Sequence, residues 1–252
     1  MNLAIFGGTF DPIHNGHLEV ARAARREYFL DRILFIPASQ PPHKPDRSVA
    51  SYEHRFEMVR LACAEHPAFA ASRLEGPAGD GGRSYTIQTI RRVAAQLTPH
   101  DRLFFIIGAD AFAEITTWYR WRQVTEEVEF IVVSRPGYSL DESALPPGAL
   151  VHWLRSVHSN VSSTEIRRRL ASGQTTRGML PSPVARYISR FHLYRRARVS
   201  ARRRTVSMLG RPQRPVAKPR KPLPPGPRGR PGPVQAARKR RTGRLSPRAA
   251  NR

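Results

Sequence analysis

The stretch Leu3-Ala4-Ile5-Phe6-Gly7-Gly8-Thr9-Phe10-Asp11-Pro12-Ile13-His14-Asn15-Gly16-His17-Leu18 decides how the rest of the chain is read. Leu3 to Phe6 is a short apolar run of the kind that forms a strand buried on both faces. Gly7 and Gly8 end it and permit close backbone approaches that a side chain would block. From there Leu18, Ala21, Ala24 and Tyr28 fall on one helical face, which predicts a helix over Leu18 to Phe29. Between strand and helix, His14 and His17 stand three apart. Where a helix begins, that spacing projects both imidazoles to one side, beside amides that lack intrahelical acceptors. Gly16 leaves room between them for a phosphate. These residues alone suit either an anion site with two imidazole donors or a tight turn whose histidines are merely exposed.

The alternation continues outward along residues 1 to 194. Ile33 to Ile36 reads as a second strand, stopped by Pro37, and Ser51 to Cys63 as a helix capped by Ser51. Phe69 to Leu74 gives a weaker strand. A Gly-rich loop, Gly76 to Gly82, leads to a helix over Thr86 to Leu97, and Leu103 to Ile107 is the clearest strand of all. A helical segment begins near Asp110, Phe130 to Val133 forms another strand, and Val151 to Leu154 a last one. Strand and helix in alternation predict an α/β fold, a Rossmann-like parallel sheet with helices on both faces. Ligands of such sheets sit outside the carboxyl ends of the strands. Chemistry is therefore expected in the loops that follow strands.

A second anion site comes late. Ser162-Ser163-Thr164-Glu165-Ile166-Arg167 sets a cap serine three residues before a glutamate, the capping-box pattern, which by itself only starts a helix. Ser163 and Thr164 add hydroxyls beside free amides, and Arg167 adds a fork donor suited to phosphate. Lys44, in Pro41-Pro42-His43-Lys44, occupies a loop after the second strand that could fold over the site. Neither a Walker lysine loop nor a Gly-x-Gly-x-x-Gly fingerprint is present in the chain.

The string Gly7 to His17 resembles the HxGH signature of the nucleotidyltransferase superfamily, Ser162 to Arg167 resembles its SSTxIR motif, and Pro41 to Lys44 resembles an element that supplies a phosphate-binding lysine. Five further segments are similar, in order, to nicotinate-nucleotide adenylyltransferases. They are Ser84-Tyr85-Thr86-Ile87-Gln88-Thr89, Gly108-Ala109-Asp110, Trp118-Tyr119-Arg120-Trp121, Ser134-Arg135-Pro136-Gly137-Tyr138, and the closing Leu180-Pro181 with Leu193-Tyr194. The resemblance implies that Gly7, Gly8, Thr9, Phe10, His14, Gly16, His17, Lys44, Gly108, Asp110, Ser163, Thr164 and Arg167 bind ATP, with His14, His17 and Arg167 catalytic. It places both histidines on the ATP phosphates, Thr9 and Phe10 at the substrate junction, and Ser163, Thr164 and Arg167 on the β- and γ-phosphates. For the acceptor it implies that the amides of Thr86 and Tyr119 hold a nicotinate carboxylate while Trp118 stacks on the pyridine ring. Gln88 departs from the family, which usually has Asp there.

The implied reaction moves AMP from ATP to nicotinic acid mononucleotide, giving nicotinic acid adenine dinucleotide and pyrophosphate in NAD biosynthesis. Such a transfer needs no general base, because the second pKa of a phosphate monoester is about 6 and the nucleophile is already ionised. Catalysis reduces to alignment and charge stabilisation. A site of His, Lys, Arg, Ser and Thr without a carboxylate dyad suits that task. Mg²⁺ is expected to accompany the ATP, with no metal held by protein ligands. Two rival acceptors are phosphopantetheine and nicotinamide mononucleotide; a nucleic-acid-binding protein acting through its C-terminus is the non-enzymatic rival.

That last rival rests on charge. Of 43 Lys and Arg residues, 20 fall between Arg195 and Arg252, where there is no Asp or Glu, whereas residues 1 to 194 hold 23 basic against 19 acidic side chains. The same terminal stretch has ten prolines and few large apolar residues. A segment of that kind cannot bury enough surface to offset the entropy of ordering it. The expected division is a nucleotidyltransferase domain over 1–194 and a disordered Arg/Pro-rich tail over 195–252, attracted nonspecifically to nucleic acid or anionic surfaces. Cys63, the lone cysteine, excludes an internal disulfide and falls in an apolar helical pattern. No signal peptide and no apolar run near the roughly 20 residues of a spanning helix is present, so a cytoplasmic setting is expected.

Overall fold

The computed structural model describes residues 1–39, 50–77, 85–134, 145–157 and 159–195, all within one unit, Met1–Ser200. Lys44, the Gly-rich loop beyond Pro77, Arg135 to Tyr138 and the tail beyond Arg195 lie outside the described residues. Six strands, β1 (Asn2–Gly8), β2 (Arg32–Pro37), β3 (Phe69–Ala71), β4 (Arg102–Gly108), β5 (Glu129–Val133) and β6 (Leu150–Leu154), form one sheet in the order β3-β2-β1-β4-β5-β6. Every neighbouring pair is parallel. The chain builds outward through β2 and β3, then crosses back to lay β4 on the other side of β1. The β1/β4 boundary is therefore the switch point at which open α/β sheets bind ligands.

Helices cover both faces, as the alternation predicts. Along β1, Ala4 and Phe6 point to one face with Phe35, Phe104 and Ile106, and there meet α1 (Asn15–Glu27), α2 (Tyr52–Cys63), α6 (Ser163–Ala171) and α7 (Ser182–Arg190). Leu3 and Ile5 point to the other with Phe105, Ile107 and Phe130, and meet α3 (Thr86–Ala94), α4 (Ala109–Ala113) and α5 (Trp121–Glu127). Each fully buried large apolar side chain contributes about 1.5–3 kcal/mol, so two apolar faces per strand explain the unbroken hydrophobic runs. Cys63 is buried, and burial pushes its thiol up to about 12, leaving an unreactive core residue. Among the described residues no helix is long and apolar enough to cross a membrane.

Several boundaries differ from expectation. α1 starts at Asn15 rather than Leu18, because His14 already takes the N-cap position. β3 is three residues long instead of six, since as an edge strand it pairs only with β2. The helix near Asp110 breaks into α4, a 3₁₀ turn over Ile115–Thr117, and α5, whose N-cap Arg120 has φ 54. α7, with Pro183 in its first turn, has no counterpart in the sequence-based reading.

α1 ends in a Schellman geometry: the Leu30 N–H donates to the Arg25 carbonyl at 3.1 Å, and Phe29 takes φ 50. Glycine normally occupies that position, because a side chain there costs about 1–2 kcal/mol. Phe29 is also 81% exposed, so neither conformation nor burial explains a phenylalanine at this place.

Candidate active site

The loop from Thr9 to His14 leaves β1 at the switch point and runs into α1. Its shape is fixed by donors from distant parts of the chain. Arg55 of α2, 2% exposed, donates to the carbonyls of Thr9 (2.7 Å), Ser39 (3.2 Å) and Ala50 (3.3 Å). It thereby fastens the β1 loop and both ends of the segment that contains Lys44. Arg167 Nη1 donates to the Asp11 carbonyl at 2.7 Å, and the Ser163 hydroxyl to the Pro12 carbonyl at 2.9 Å. The buried Asp11 carboxylate accepts from the Tyr194 hydroxyl at 2.6 Å, and burial with that carboxylate drives the phenol far above its ordinary range. Burial draws the Arg55 guanidinium below its ordinary value, against the opposing pull of Asp11.

At the start of α1 the two histidines meet, with ring centroids 3.7 Å apart. His17 Nδ1 accepts from the His14 N–H at 3.2 Å. An accepting Nδ1 carries no proton, so a neutral ring has its N–H on Nε2. The Asn15 amide goes to the Met179 carbonyl, and those of His17 and Leu18 to the His14 carbonyl. Among the described residues, no backbone bond takes the Gly16 amide, which lies at a helix start of the kind that suits an anion. A Cβ on Gly16 would lie 2.8 Å from Ser159 Oγ and 3.1 Å from the His14 ring. Only glycine brings the loop, Ser159 and the imidazole this close.

α6 aims its N-terminus at the same loop. Ser162 caps it, accepting from the Glu165 N–H at 3.2 Å. The expected reciprocal half of the capping box is replaced: Glu165 pairs with Arg168 and Arg169, each at 2.7 Å, and these guanidiniums hold its carboxyl down at about 2. Thr164 Oγ1 accepts from Arg167 Nη2 at 3.3 Å. Ser163 and Arg167 thus give part of their donor capacity to the β1 loop. The first-turn amides of Ser163 and Thr164 remain directed outward.

Phe10 is not at the surface. With φ 48 and 2% exposure, its ring packs against Phe6 and Phe35 and meets the His17 ring edge-on at 5.0 Å. Its side chain supports the histidine from below. At the end of β4, beside β1, Gly108 allows Asp110 to fold back, since a Cβ would lie 2.6 Å from Asp110 Oδ1. A Cβ on Gly7 would lie 3.4 Å from the Phe105 ring, and that ring meets Trp118 edge-on at 6.2 Å, so the aromatic segment is braced on the same pair of strands. Trp118 is half-buried. Tyr119, 49% exposed, contacts Tyr85 at 4.5 Å. That contact draws Tyr119 to the start of α3, where Thr86 is the first residue. Gln88 is exposed on α3. The Thr89 hydroxyl donates to Glu75 at 2.8 Å, while burial pushes the Glu75 carboxyl up to about 7.

Thus Gly7, Gly8, Thr9, Phe10, His14, Gly16, His17, Ser163, Thr164 and Arg167 come together around one loop, with Gly108 and Asp110 on the adjacent strand end. The sequence reading missed Arg55, Asp11, Tyr194 and Ser159. For Arg55 a signal existed: it lies three from Tyr52 and four from Val59, on the apolar face of its helix. The other three are made important by contacts across more than a hundred residues, for which no local pattern exists.

Comparison with known proteins supplies the family. A family model described as cytidylyltransferase-like matches residues 5–169. A "Probable nicotinate-nucleotide adenylyltransferase" of Solibacter usitatus is 50% identical over 194 residues, covering 77% of this chain and 100% of the relative. Another so named, from Thermus thermophilus, is 46% identical over 195 residues, with 77% of this chain and 100% of the relative covered. Among solved structures, Plasmodium falciparum nicotinic acid mononucleotide adenylyltransferase complexed with NaAD shares the fold, with a TM-score of 0.63 at 20% identity, over 77% of this chain and 97% of that one. With the N-termini of two helices on one switch-point loop, the chain belongs to the nicotinate-nucleotide adenylyltransferase family, within the cytidylyltransferase-like nucleotidyltransferases.

Proposed function

We propose that this protein transfers AMP from ATP to nicotinic acid mononucleotide, forming nicotinic acid adenine dinucleotide and pyrophosphate. One observation carries the mechanism: Ser163 and Arg167 bond the carbonyls of Pro12 and Asp11, so the N-termini of α1 and α6 face a common space. Anions are favoured there by both helix ends. An oxygen of the acceptor phosphate attacks the α-phosphorus of ATP, a new P–O bond forms, and the bond to the β-phosphate oxygen breaks. His17 Nε2–H, His14 and the Gly16 amide hold the phosphoryl oxygens on which charge builds. The α6 amides, Thr164 and the remaining Arg167 donors hold the β- and γ-phosphates that leave, and Lys44 adds a cation to them. The α3 start at Thr86 and the Tyr119 amide take the nicotinate carboxylate, and Trp118 takes the ring.

The protein groups around the phosphates are imidazole, guanidinium, hydroxyl and amide, whereas Mg²⁺ prefers oxygen ligands including phosphates. Mg²⁺ would therefore be carried on the ATP oxygens and neutralise the leaving pyrophosphate. We further propose that residues 195–252 act as a separate polycationic tail attached to a cytoplasmic enzyme domain. The deciding experiment offers purified full-length protein Mg²⁺ and ATP with nicotinic acid mononucleotide, nicotinamide mononucleotide or phosphopantetheine, and measures pyrophosphate release. The first acceptor should be used fastest. A faster rate with either of the others would overturn the acceptor assignment, and no release with any would overturn the activity.

A further inference from the structure

α1 carries the active-site histidines at its N-terminus. Its other end borders a second concavity. A cavity of about 640 Å³ opens there, lined by Arg22, Arg25, Arg26, Phe29, His66 and Phe69 among others. That size lies within the range of roughly 300–1,000 Å³ typical of small-molecule sites. Arg22, Arg25 and Arg26 are spaced three and four apart, so they share one side of the helix. Among the described residues, none of the three lies within ion-pair distance of a carboxylate. Asp31 sits on the rim, but its Oδ2 accepts from the Asn2 N–H at 2.6 Å.

A basic last turn complements the helix dipole, which accounts for Arg25 and Arg26 in part. It does not account for Arg22, one turn earlier, nor for the concavity. Across the cavity the His66 ring packs on Phe69 at 4.9 Å, and burial, then the nearby Arg22, holds its pKa below the ordinary value. A neutral His66 offers one donor and one acceptor. Phe29 completes the rim, 81% exposed and held in the left-handed region at φ 50. An aromatic ring fixed outward beside unpaired guanidiniums is the arrangement that stacks a nucleobase while binding its phosphates.

We infer that this cavity is a second nucleotide site, taking a nucleoside polyphosphate with its base on Phe29 and its phosphates on Arg22, Arg25 and Arg26. It is separate from the active site, and it does not depend on the acceptor assignment. The test is photolabelling of the full-length protein with 8-azido-ATP, with adducts mapped by mass spectrometry. Adducts are expected on Phe29 to Asp31 or His66 to Phe69, displaced by unlabelled ATP. They should fall about tenfold in Arg25→Glu/Arg26→Glu, which loses two charge-assisted phosphate contacts, and also in Phe29→Gly. Glycine suits the φ of position 29, so that variant folds, and neither variant should change turnover at saturating substrates. No adduct in these segments, or adducts unchanged by both variants, would overturn the inference. Labelling by an azido-modified single-stranded oligonucleotide but not by the free nucleotide would also overturn it, in favour of a nucleic-acid site.

Discussion

Replacing Arg55 by methionine tests whether the active-site loop is held from beneath. The guanidinium is 2% exposed and makes three hydrogen bonds, to Thr9, Ser39 and Ala50 carbonyls. Hydrogen bonds from a charged donor contribute about 1.5–3 kcal/mol each, though not additively. Methionine fills similar space but leaves those carbonyls unsatisfied and removes a positive charge that acts on buried Asp11. Removing one member of a buried charged pair costs about 3–5 kcal/mol, a large part of the 5–15 kcal/mol that holds a typical domain together. With a urea slope of about 2 kcal/mol per molar, the midpoint should fall by roughly 2 M. Arg55→Lys keeps the charge but reaches fewer carbonyls, so it should recover part of the stability and less of the turnover, because Thr9 and the Lys44 segment lose their shared anchor. Urea melts and steady-state rates on both variants give the answer. A loss below about 1 kcal/mol with wild-type kinetics in Arg55→Met would refute the clamp.

The other expectations concern pH, chemistry, acceptor and tail. Glu75 is raised from 4.5 to about 7 mainly by burial; its protonated form is favoured in the fold, so its stabilisation is complete below pH 4.5 and lost as pH rises through about 7. At 1.36 kcal/mol per pH unit that loss is up to about 3 kcal/mol, and Glu75→Gln should flatten the stability curve over this window, whereas equal slopes in urea melts at pH 5 and 8 would contradict it. His17→Ala should lower kcat by about 10²–10³, the usual effect of removing a donor to transition-state charge, without lowering the melting temperature much; wild-type turnover would remove it from the mechanism. Trp118→Ala should raise the acceptor KM by up to about tenfold, for a stacking contribution of roughly 0.5–1.5 kcal/mol, and leave the ATP KM nearly unchanged. Equal losses for both substrates would make Trp118 a packing residue of Phe105 alone. Deleting residues after Arg196 keeps the Tyr194 bond to Asp11 and should preserve turnover while abolishing salt-sensitive retention on heparin or RNA; retention that survives would place the basic surface on the body.

The sequence by itself determined the layer architecture and the chemical type of the site. Strands buried on two faces write unbroken apolar runs, helices write a 3.6-residue period, and a phosphate loop between them needs glycine and small polar donors at fixed spacing. Each of these is a local constraint, so Leu3 to Leu18 and Ser162 to Arg167 could be read one segment at a time. Local pattern also set limits. It gave β3 three residues too many and left α7 unread, because edge pairing and docking against α2 are properties of neighbours. Only the tertiary structure decided that Ser163 and Arg167 spend donors on the Pro12 and Asp11 carbonyls, that the Phe10 ring packs on His17, and that Arg55 and Tyr194 both hold the loop. The physical reason is that a buried polar group must find its partner wherever the fold supplies one. For Asp11 and Tyr194 that partner lies 183 residues away, and no spacing rule along the chain reaches so far.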